Sequence, residues 1–156
     1  LSYGVGYQLG ALWQASDRWT LAAGYQSHFS MSEFDDYADL FAERGRFDIP
    51  AMATLGVAVS VTPALSVVAD VQHIAYADVP SLGNAMSENV AACFGGVVAY
   101  CLGGPEGAGF GWDDMTVLKF GLQWEVSDAW AVRGGYSVSD NHVPTSGVLF
   151  NVPSVA

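Results

Sequence analysis

Strict alternation between apolar residues and small or polar residues recurs along the chain, and it limits the folds open to it. The run from Thr116 to Val126 shows the pattern best. Leucine, phenylalanine and tryptophan recur there at every second position, with lysine, glycine, glutamine and glutamate between them. A period of two places alternate side chains on opposite faces of a β-strand. Because the alternation resumes from Trp130 to Val138 after a short turn, we predict a hairpin with one apolar and one polar face.

Two other segments repeat this hairpin. The three related stretches are LGALWQASDRWTLAAGY, LGVAVSVTPALSVVADV and FGLQWEVSDAWAVRGGY. Short turns at one end of each hairpin and long connections at the other are typical of outer-membrane β-barrels. We predict strands at about 3–15, 19–28, 51–62, 65–76, 115–126 and 130–138, and long external loops at about 29–50, 77–114 and 139–156.

Composition excludes several classes of protein. The 156 residues include 16 acidic but only 5 basic side chains, a formal net charge of −11, which is unsuited to binding nucleic acid. At 51% hydrophobic residues the chain is too apolar to be disordered. No run approaches the roughly 18 apolar residues of a membrane helix. An all-β soluble core and a membrane barrel wall both fit this composition.

Three features favour the barrel wall over a soluble β-sandwich. The predicted strands have the length that a tilted strand needs to cross a bilayer. The polar face is composed mainly of Gly, Ala, Ser, Thr and Gln, which suits a narrow lumen. Tryptophan residues flank two of the short turns on the apolar face, as in an aromatic girdle, although they would also fill the end of a sandwich core. These residues are Trp13, Trp19, Trp124 and Trp130.

We therefore expect an all-β fold. The predicted architecture is an antiparallel transmembrane β-barrel, present here as an incomplete barrel of about six strands in three hairpins, all part of one domain. Six strands leave two open edges, and lipid cannot satisfy the backbone groups of an open edge. We expect the chain to be a piece of a larger protein.

Short motifs add a family resemblance. The most specific are Phe47-Asp48-Ile49-Pro50, Gly111-Trp112-Asp113 at the start of a strand, and Arg133-Gly134-Gly135-Tyr136 within a strand. The first motif lies within LFAERGRFDIPA, and TSGVLFNVPSV stands at the end of the chain. Over nearly its whole length the chain resembles the C-terminal half of the FadL/TodX family of outer-membrane transporters of hydrophobic substrates.

The resemblance implies a monomeric, multi-pass barrel in the bacterial outer membrane, surrounded by lipid and lipopolysaccharide. Its lumen is plugged by an N-terminal hatch outside this chain, and one kinked strand provides a lateral opening. It implies passive uptake of long-chain fatty acids or aromatic hydrocarbons, with no cofactor. A general porin-like or structural barrel and a soluble β-sandwich binding module are the alternatives.

Two cations are candidates for substrate contact. Lys119 and Arg133 fall on the polar face of neighbouring strands, where a buried cation can hold the carboxylate of a fatty acid. The alternative is structural, because charges in a narrow lumen are usually paired, here with Glu125 or another carboxylate of the wall.

The second long loop contains both cysteines. Cys93 and Cys101 are candidates for a disulfide, since an external loop is an oxidising setting. A zinc site is the weaker option, because no histidine lies near them in sequence. The segment AACFGGVVAYCLGG around them is unusually apolar, which fits either a landing surface for substrate or packing of the loop on itself.

The remaining polar residues do not indicate an enzyme or a metal site. Three histidines lie near strand or loop ends without a nucleophile at a meaningful spacing, and the sequence has no GxSxG, phosphate-loop or HExxH motif. An acidic cluster in the first loop fits a solvated face better than cations shared with lipopolysaccharide. The histidines are His28, His73 and His142, and the cluster is Glu33, Asp35, Asp36 and Asp39.

Overall fold

In a computed structural model of the chain, the structure describes residues 2–40 and 42–145, without the side chain of Tyr37. The described part is mostly β-strand, and all strand pairs are antiparallel. The strands are β1 (Gly4–Val5), β2 (Gln8–Gln14), β3 (Trp19–Gln26), β4 (Ser30–Met31), β5 (Met52–Thr62), β6 (Leu65–Ile74), β7 (Met115–Ser127) and β8 (Trp130–Ser139).

Six of these strands form one sheet with the order β2-β3-β5-β6-β7-β8, and β1 pairs with β4 in a separate sheet. Each strand of the large sheet follows its neighbour in the chain, with hairpins β2–β3, β5–β6 and β7–β8. The sheet is not closed, because β2 and β8 are its edges within the described residues. These observations confirm the predicted all-β fold, a piece of an antiparallel barrel.

The register places most of the apolar residues of all six strands on one face. One row across the sheet consists of Ala11, Ala23, Leu55, Val71, Leu118 and Val138, each paired with the next. Large side chains on this face are exposed: the exposed fraction is 64% for Leu9, 61% for Leu55 and 69% for Tyr136. No second sheet covers it in the part of the chain that the structure describes. A soluble sandwich would bury this face, whereas a membrane barrel presents it to lipid.

The opposite face contains mainly small and polar residues, together with a few apolar ones such as Leu12, Val68 and Val117. Glycine meets glycine across β2 and β3 at Gly10 and Gly24, and serine meets serine across β5 and β6 at Ser60 and Ser66. At Gly121 an added Cβ would lie 2.7 Å from Cγ2 of Val68 on the neighbouring strand. At these glycine and serine positions the wall has little side-chain bulk.

The predicted first strand, about 3–15, is divided in the structure. Just before β2 the backbone of Tyr7 bonds to Ser27 twice: its carbonyl accepts the Ser27 N–H at 2.9 Å, and its N–H donates to Ser27 Oγ at 2.9 Å. A side-chain hydroxyl has thus replaced a backbone acceptor in the ladder. The ring of Phe29 also lies so close to Gly6 that no side chain fits there. Beyond this point β1 and β4 continue the hairpin with the register shifted by one residue, so that Val5 pairs with Ser30 and Gly4 with Met31.

The first long loop, 29–50, contains β4, a 3-10 turn (Asp35–Tyr37) and the short segment α1 (Ala42–Gly45). Inside α1 the backbone is left-handed, with φ of 51° at Glu43 and 61° at Arg44. These two N–H groups donate to the carbonyls of Gly104 and Gly103, at 2.9 and 3.1 Å. Bonds to the second loop thus accompany a conformation that non-glycine residues rarely adopt.

The second long loop, 77–114, is more structured than the sequence suggests. It contains α2 (Pro80–Gly83), α3 (Met86–Phe94) and a 3-10 turn (Val98–Tyr100). Among the described residues, no helix has the length and hydropathy needed to cross a membrane. The third predicted loop, 139–156, is described only as far as residue 145, and most of the TSGVLFNVPSV motif lies outside the described residues.

The exposure of the apolar face leads to a first prediction. Leu55→Arg places a charge on the apolar face, and Thr54→Arg places the same charge on the opposite face of the same strand. If the apolar face contacts lipid, Leu55→Arg should lower the free energy of unfolding by about 2–4 kcal/mol, and Thr54→Arg by clearly less. Urea unfolding of the membrane-inserted protein in lipid vesicles measures both values. Equal effects of the two substitutions would contradict a lipid-facing role.

Candidate functional site

The polar face of the sheet is the candidate substrate-conducting wall, and the structure places both candidate cations on it. Lys119 on β7 lies opposite Asp70 and Ser137, and Arg133 on β8 lies opposite Gln123. Along this hairpin the two cations are four pairs apart, about 13 Å at roughly 3.3 Å per residue. They share a face, as predicted, but one carboxylate cannot contact both.

Neutral amide groups hold the two cations. Lys119 Nζ donates to Gln72 Oε1 at 2.6 Å, and Arg133 Nε donates to Gln123 Oε1 at 2.8 Å. Neither cation forms an ion pair with a carboxylate among the residues that the structure describes, Glu125 included. Their positive charges are therefore positioned by hydrogen bonds without being directly neutralised.

Asp70 is a wall residue whose importance sequence reasoning missed. It lies directly across from Lys119 on one side and from Gly56 on the other. A Cβ at Gly56 would collide with Asp70 Oδ1, so the carboxylate leans over β5 and occupies the space that this glycine leaves open. Alternation alone assigned Asp70 to the polar face, but its neighbours became known only with the register.

The four predicted girdle tryptophans lie at the end of the sheet where the turns are short. Their exposed fractions are 64% for Trp13, 50% for Trp19, 50% for Trp124 and 72% for Trp130. The register puts them on the apolar face, as Trp13 lies opposite Leu21 and Trp124 opposite Val132. This arrangement matches a belt of indoles between headgroups and hydrocarbon, and the girdle remains a prediction.

In the second loop the structure joins Cys93 to Cys101 by a disulfide, at the end of α3. Next to this link lies an apolar tip, the residues 94–102. Phe94 is 88% and Val98 79% exposed, so the tip does not pack on itself at these positions. The tip is attached to the rest of the loop by the carbonyl of Ala99, which accepts the Glu106 N–H at 3.0 Å. No metal-ligating group of three His, Cys, Asp or Glu exists within the described ranges.

A buried carboxylate holds the first loop against the end of the sheet. Asp48 is only 4% exposed; its Oδ1 accepts the Met31 N–H at 2.7 Å, and its Oδ2 lies 3.0 Å from His28 Nε2. Arg46 Nε is 3.4 Å from Oδ1. A carboxylate removed from water needs such partners. Asp48 belongs to a motif noted in the sequence, yet only the structure shows its bracing contacts.

The histidines do not come together. His28 contacts Asp48, whereas His73 Nε2 lies 3.6 Å from Asp114 Oδ2 at the outer end of β6. The ring of His142 packs edge-on against Trp112, with 4.8 Å between ring centroids. The structure offers no histidine pair for acid–base chemistry among these three.

Near Trp112 a groove of about 250 Å³ opens between the second and third loops. Phe110, which stacks on Trp112 at 5.4 Å, forms one of its walls. Its other lining residues are Gly83, Ala85, Met86, Ser87, Glu88, Gly111, Asp113 and Pro144.

The acidic cluster of the first loop is solvated: Glu33, Asp35, Asp36 and Asp39 are all exposed.

Comparisons with known proteins agree with this architecture. The model of the family described as outer membrane protein transport protein (OMPP1/FadL/TodX) matches residues 2–155. Among solved structures, the toluene transporter TbuX of Ralstonia pickettii is similar, with a TM-score of 0.56 and 19% sequence identity. The match covers 88% of this chain but 36% of TbuX, so the chain spans about a third of that transporter. At this identity the likeness shows a shared fold.

A search of curated proteins finds no match. The family match, by contrast, runs over almost the whole chain and confirms the resemblance seen in the sequence motifs. The chain belongs to the FadL/TodX family of outer membrane transport proteins.

Proposed function

We propose that the protein containing this chain takes up long-chain fatty acids or related hydrophobic compounds passively across the bacterial outer membrane, through the lumen of its barrel. The observation that supports this most is the family match over residues 2–155. The related solved structure is described as a toluene transporter, which supports an apolar substrate. Transport in this form needs no catalytic residue and no cofactor.

The two faces of the sheet support the same proposal. The apolar face suits surrounding outer-membrane lipid and lipopolysaccharide, and each of the six strands is then one crossing of a multi-pass, monomeric barrel. The polar face, rich in Gly, Ser and Gln, offers a narrow wall with few charges. An apolar molecule makes no strong hydrogen bonds with water, so it loses none when it passes along this wall.

A general porin is the main competing function, and solute selectivity separates the two. We expect vesicles containing the protein to take up a radiolabelled fatty acid or toluene faster than protein-free vesicles. Small sugars should produce no swelling, because a plugged lumen excludes hydrated solutes. Rapid swelling with sugars would instead favour the porin, and a protein that needs neither detergent nor lipid to stay in solution would favour a sandwich module.

For a substrate with a carboxylate, we propose that Lys119 or Arg133 makes the polar contact. Both have donor N–H groups to spare beyond the single amide oxygen that each contacts. A charge-assisted hydrogen bond to a carboxylate is stronger than one to an amide, so substrate can displace Gln72 or Gln123. Because the two cations are about 13 Å apart along the hairpin, a substrate carboxylate contacts one or the other, each at a different depth in the lumen.

Single substitutions test this role. Lys119→Gln and Arg133→Gln keep a polar side chain but remove the charge, and we expect the one that contacts substrate to weaken fatty-acid binding about tenfold. Toluene uptake should not change, because toluene has no charge to lose. Ser137→Ala, beside Lys119 on the same face, is the matched control. If both Gln variants bind fatty acid like the wild type, the cations do not contact substrate.

We also propose that the Cys93–Cys101 disulfide stiffens the apolar tip as a landing surface for substrate. Closing this short loop limits the conformations of the tip, which keeps its exposed side chains in one arrangement. Phe94 and Val98 then present apolar surface next to water, at the side of the protein where substrate arrives. Surface of this kind favours contact with apolar molecules.

Peptide mapping tests the bridge directly. Digestion without reductant should release one linked peptide pair containing Cys93 and Cys101, and reduction should separate it. The double variant C93S/C101S should fold as a barrel but show faster hydrogen exchange in the tip and slower substrate uptake. Recovery of two free thiols from the unreduced protein would refute the disulfide.

A further inference from the structure

We propose that Asp70 is a specificity-determining residue of the wall, which disfavours anionic substrates and tilts transport toward uncharged hydrocarbons. The inference rests on the proposed function and deepens it. Fatty acids and aromatic hydrocarbons are both apolar, so surface hydrophobicity does not distinguish them. What distinguishes them is the balance of charges around the cation that a fatty-acid carboxylate would contact.

The geometry places a negative charge beside Lys119. Asp70 and Lys119 form a directly opposed pair in the β6–β7 ladder. In such a pair the Cβ atoms are about 4.5–5.5 Å apart. Lys119 nevertheless donates to Gln72, while the Asp70 carboxylate leans toward Gly56. Among the described residues, Asp70 takes part in no ion pair, so its charge is not cancelled by direct contact.

A substrate carboxylate that reaches Lys119 therefore also approaches Asp70. The ammonium attracts it, and the Asp70 carboxylate, which leans away toward Gly56, repels it from a greater distance. Because the Coulomb energy depends on charge, distance and the local dielectric, this repulsion offsets part of the attraction. A neutral hydrocarbon experiences neither effect and loses nothing at this position.

The other charged side chains of the described strands show the same balance. Within the six strands described, its charged side chains are Asp70, Lys119, Glu125 and Arg133, two of each sign. Glu125 lies one step diagonally from Arg133, since Gln123 is the residue opposite that arginine. Each cation thus has a carboxylate as a neighbour. A wall built to hold an anion would show an excess of positive charge instead.

The decisive variant is Asp70→Asn, which keeps the shape of the side chain but removes its charge. In vesicles containing the protein, the ratio of fatty-acid uptake to toluene uptake should rise on the order of tenfold, mainly through faster fatty-acid uptake. Asp70→Glu retains the charge and should keep the wild-type ratio. In the double variant D70N/K119Q the rise should disappear, because the freed cation is gone; this distinguishes a charge effect on Lys119 from a change in wall shape.

A second variant covers the case in which Asp70→Asn does not insert. Gly56→Ala places a methyl group where the Asp70 carboxylate now lies and should push it toward β7, which lowers the uptake ratio. An unchanged ratio in an inserted Asp70→Asn protein, or a ratio that does not fall in Gly56→Ala, would overturn the inference while leaving apolar transport intact. If the wild-type protein takes up neither fatty acid nor toluene, the proposed function itself is overturned.

Discussion

The constraint on which this structure depends is that lipid offers no hydrogen-bond partners to the backbone. In lipid, each N–H and C=O of a strand must find its partner in the neighbouring strand, so the ladder is continuous or the fold fails. The six-stranded sheet meets this requirement between its neighbouring strands with an antiparallel meander, and the edges β2 and β8 need further strands to pair with. Once the ladder is fixed, the pleat fixes the faces, because a slip of one residue would turn every apolar side chain toward the lumen.

The same ladder decides which polar groups meet on the wall. Asp70 faces Lys119, and Gln123 faces Arg133, through register rather than through proximity in sequence. Two cations that look like one site in a sequence are separated along the hairpin, so each could contact substrate only at its own depth. Charge selectivity in such a lumen follows from cross-strand pairs, so it can change by a single substitution without any change of fold.

The fold was predictable from the sequence because its determinants are periodic. Alternation from Thr116 to Val126 specifies a strand, a face and, with its repeats, the hairpin, whatever the neighbours are. The break near Tyr7 was not predictable, since it depends on a hydroxyl of Ser27 replacing a backbone group across the ladder. The place of Asp70 was hidden for a related reason: its partners lie 14 residues before it and 49 after it in sequence, at Gly56 and Lys119.

The external loops follow a different rule, because water can satisfy their backbone and no ladder dictates their path. Their conformation is set by contacts between loops. The left-handed residues Glu43 and Arg44 bond to the glycines that follow Cys101 in the second loop. Asp48 then ties the first loop to the end of β3 through His28. The disulfide of the second loop and the buried Asp48 of the first loop are thus linked through these contacts between the loops. These contacts fix the two loops against each other, and in our proposal they support the exposed tip as a landing surface for substrate.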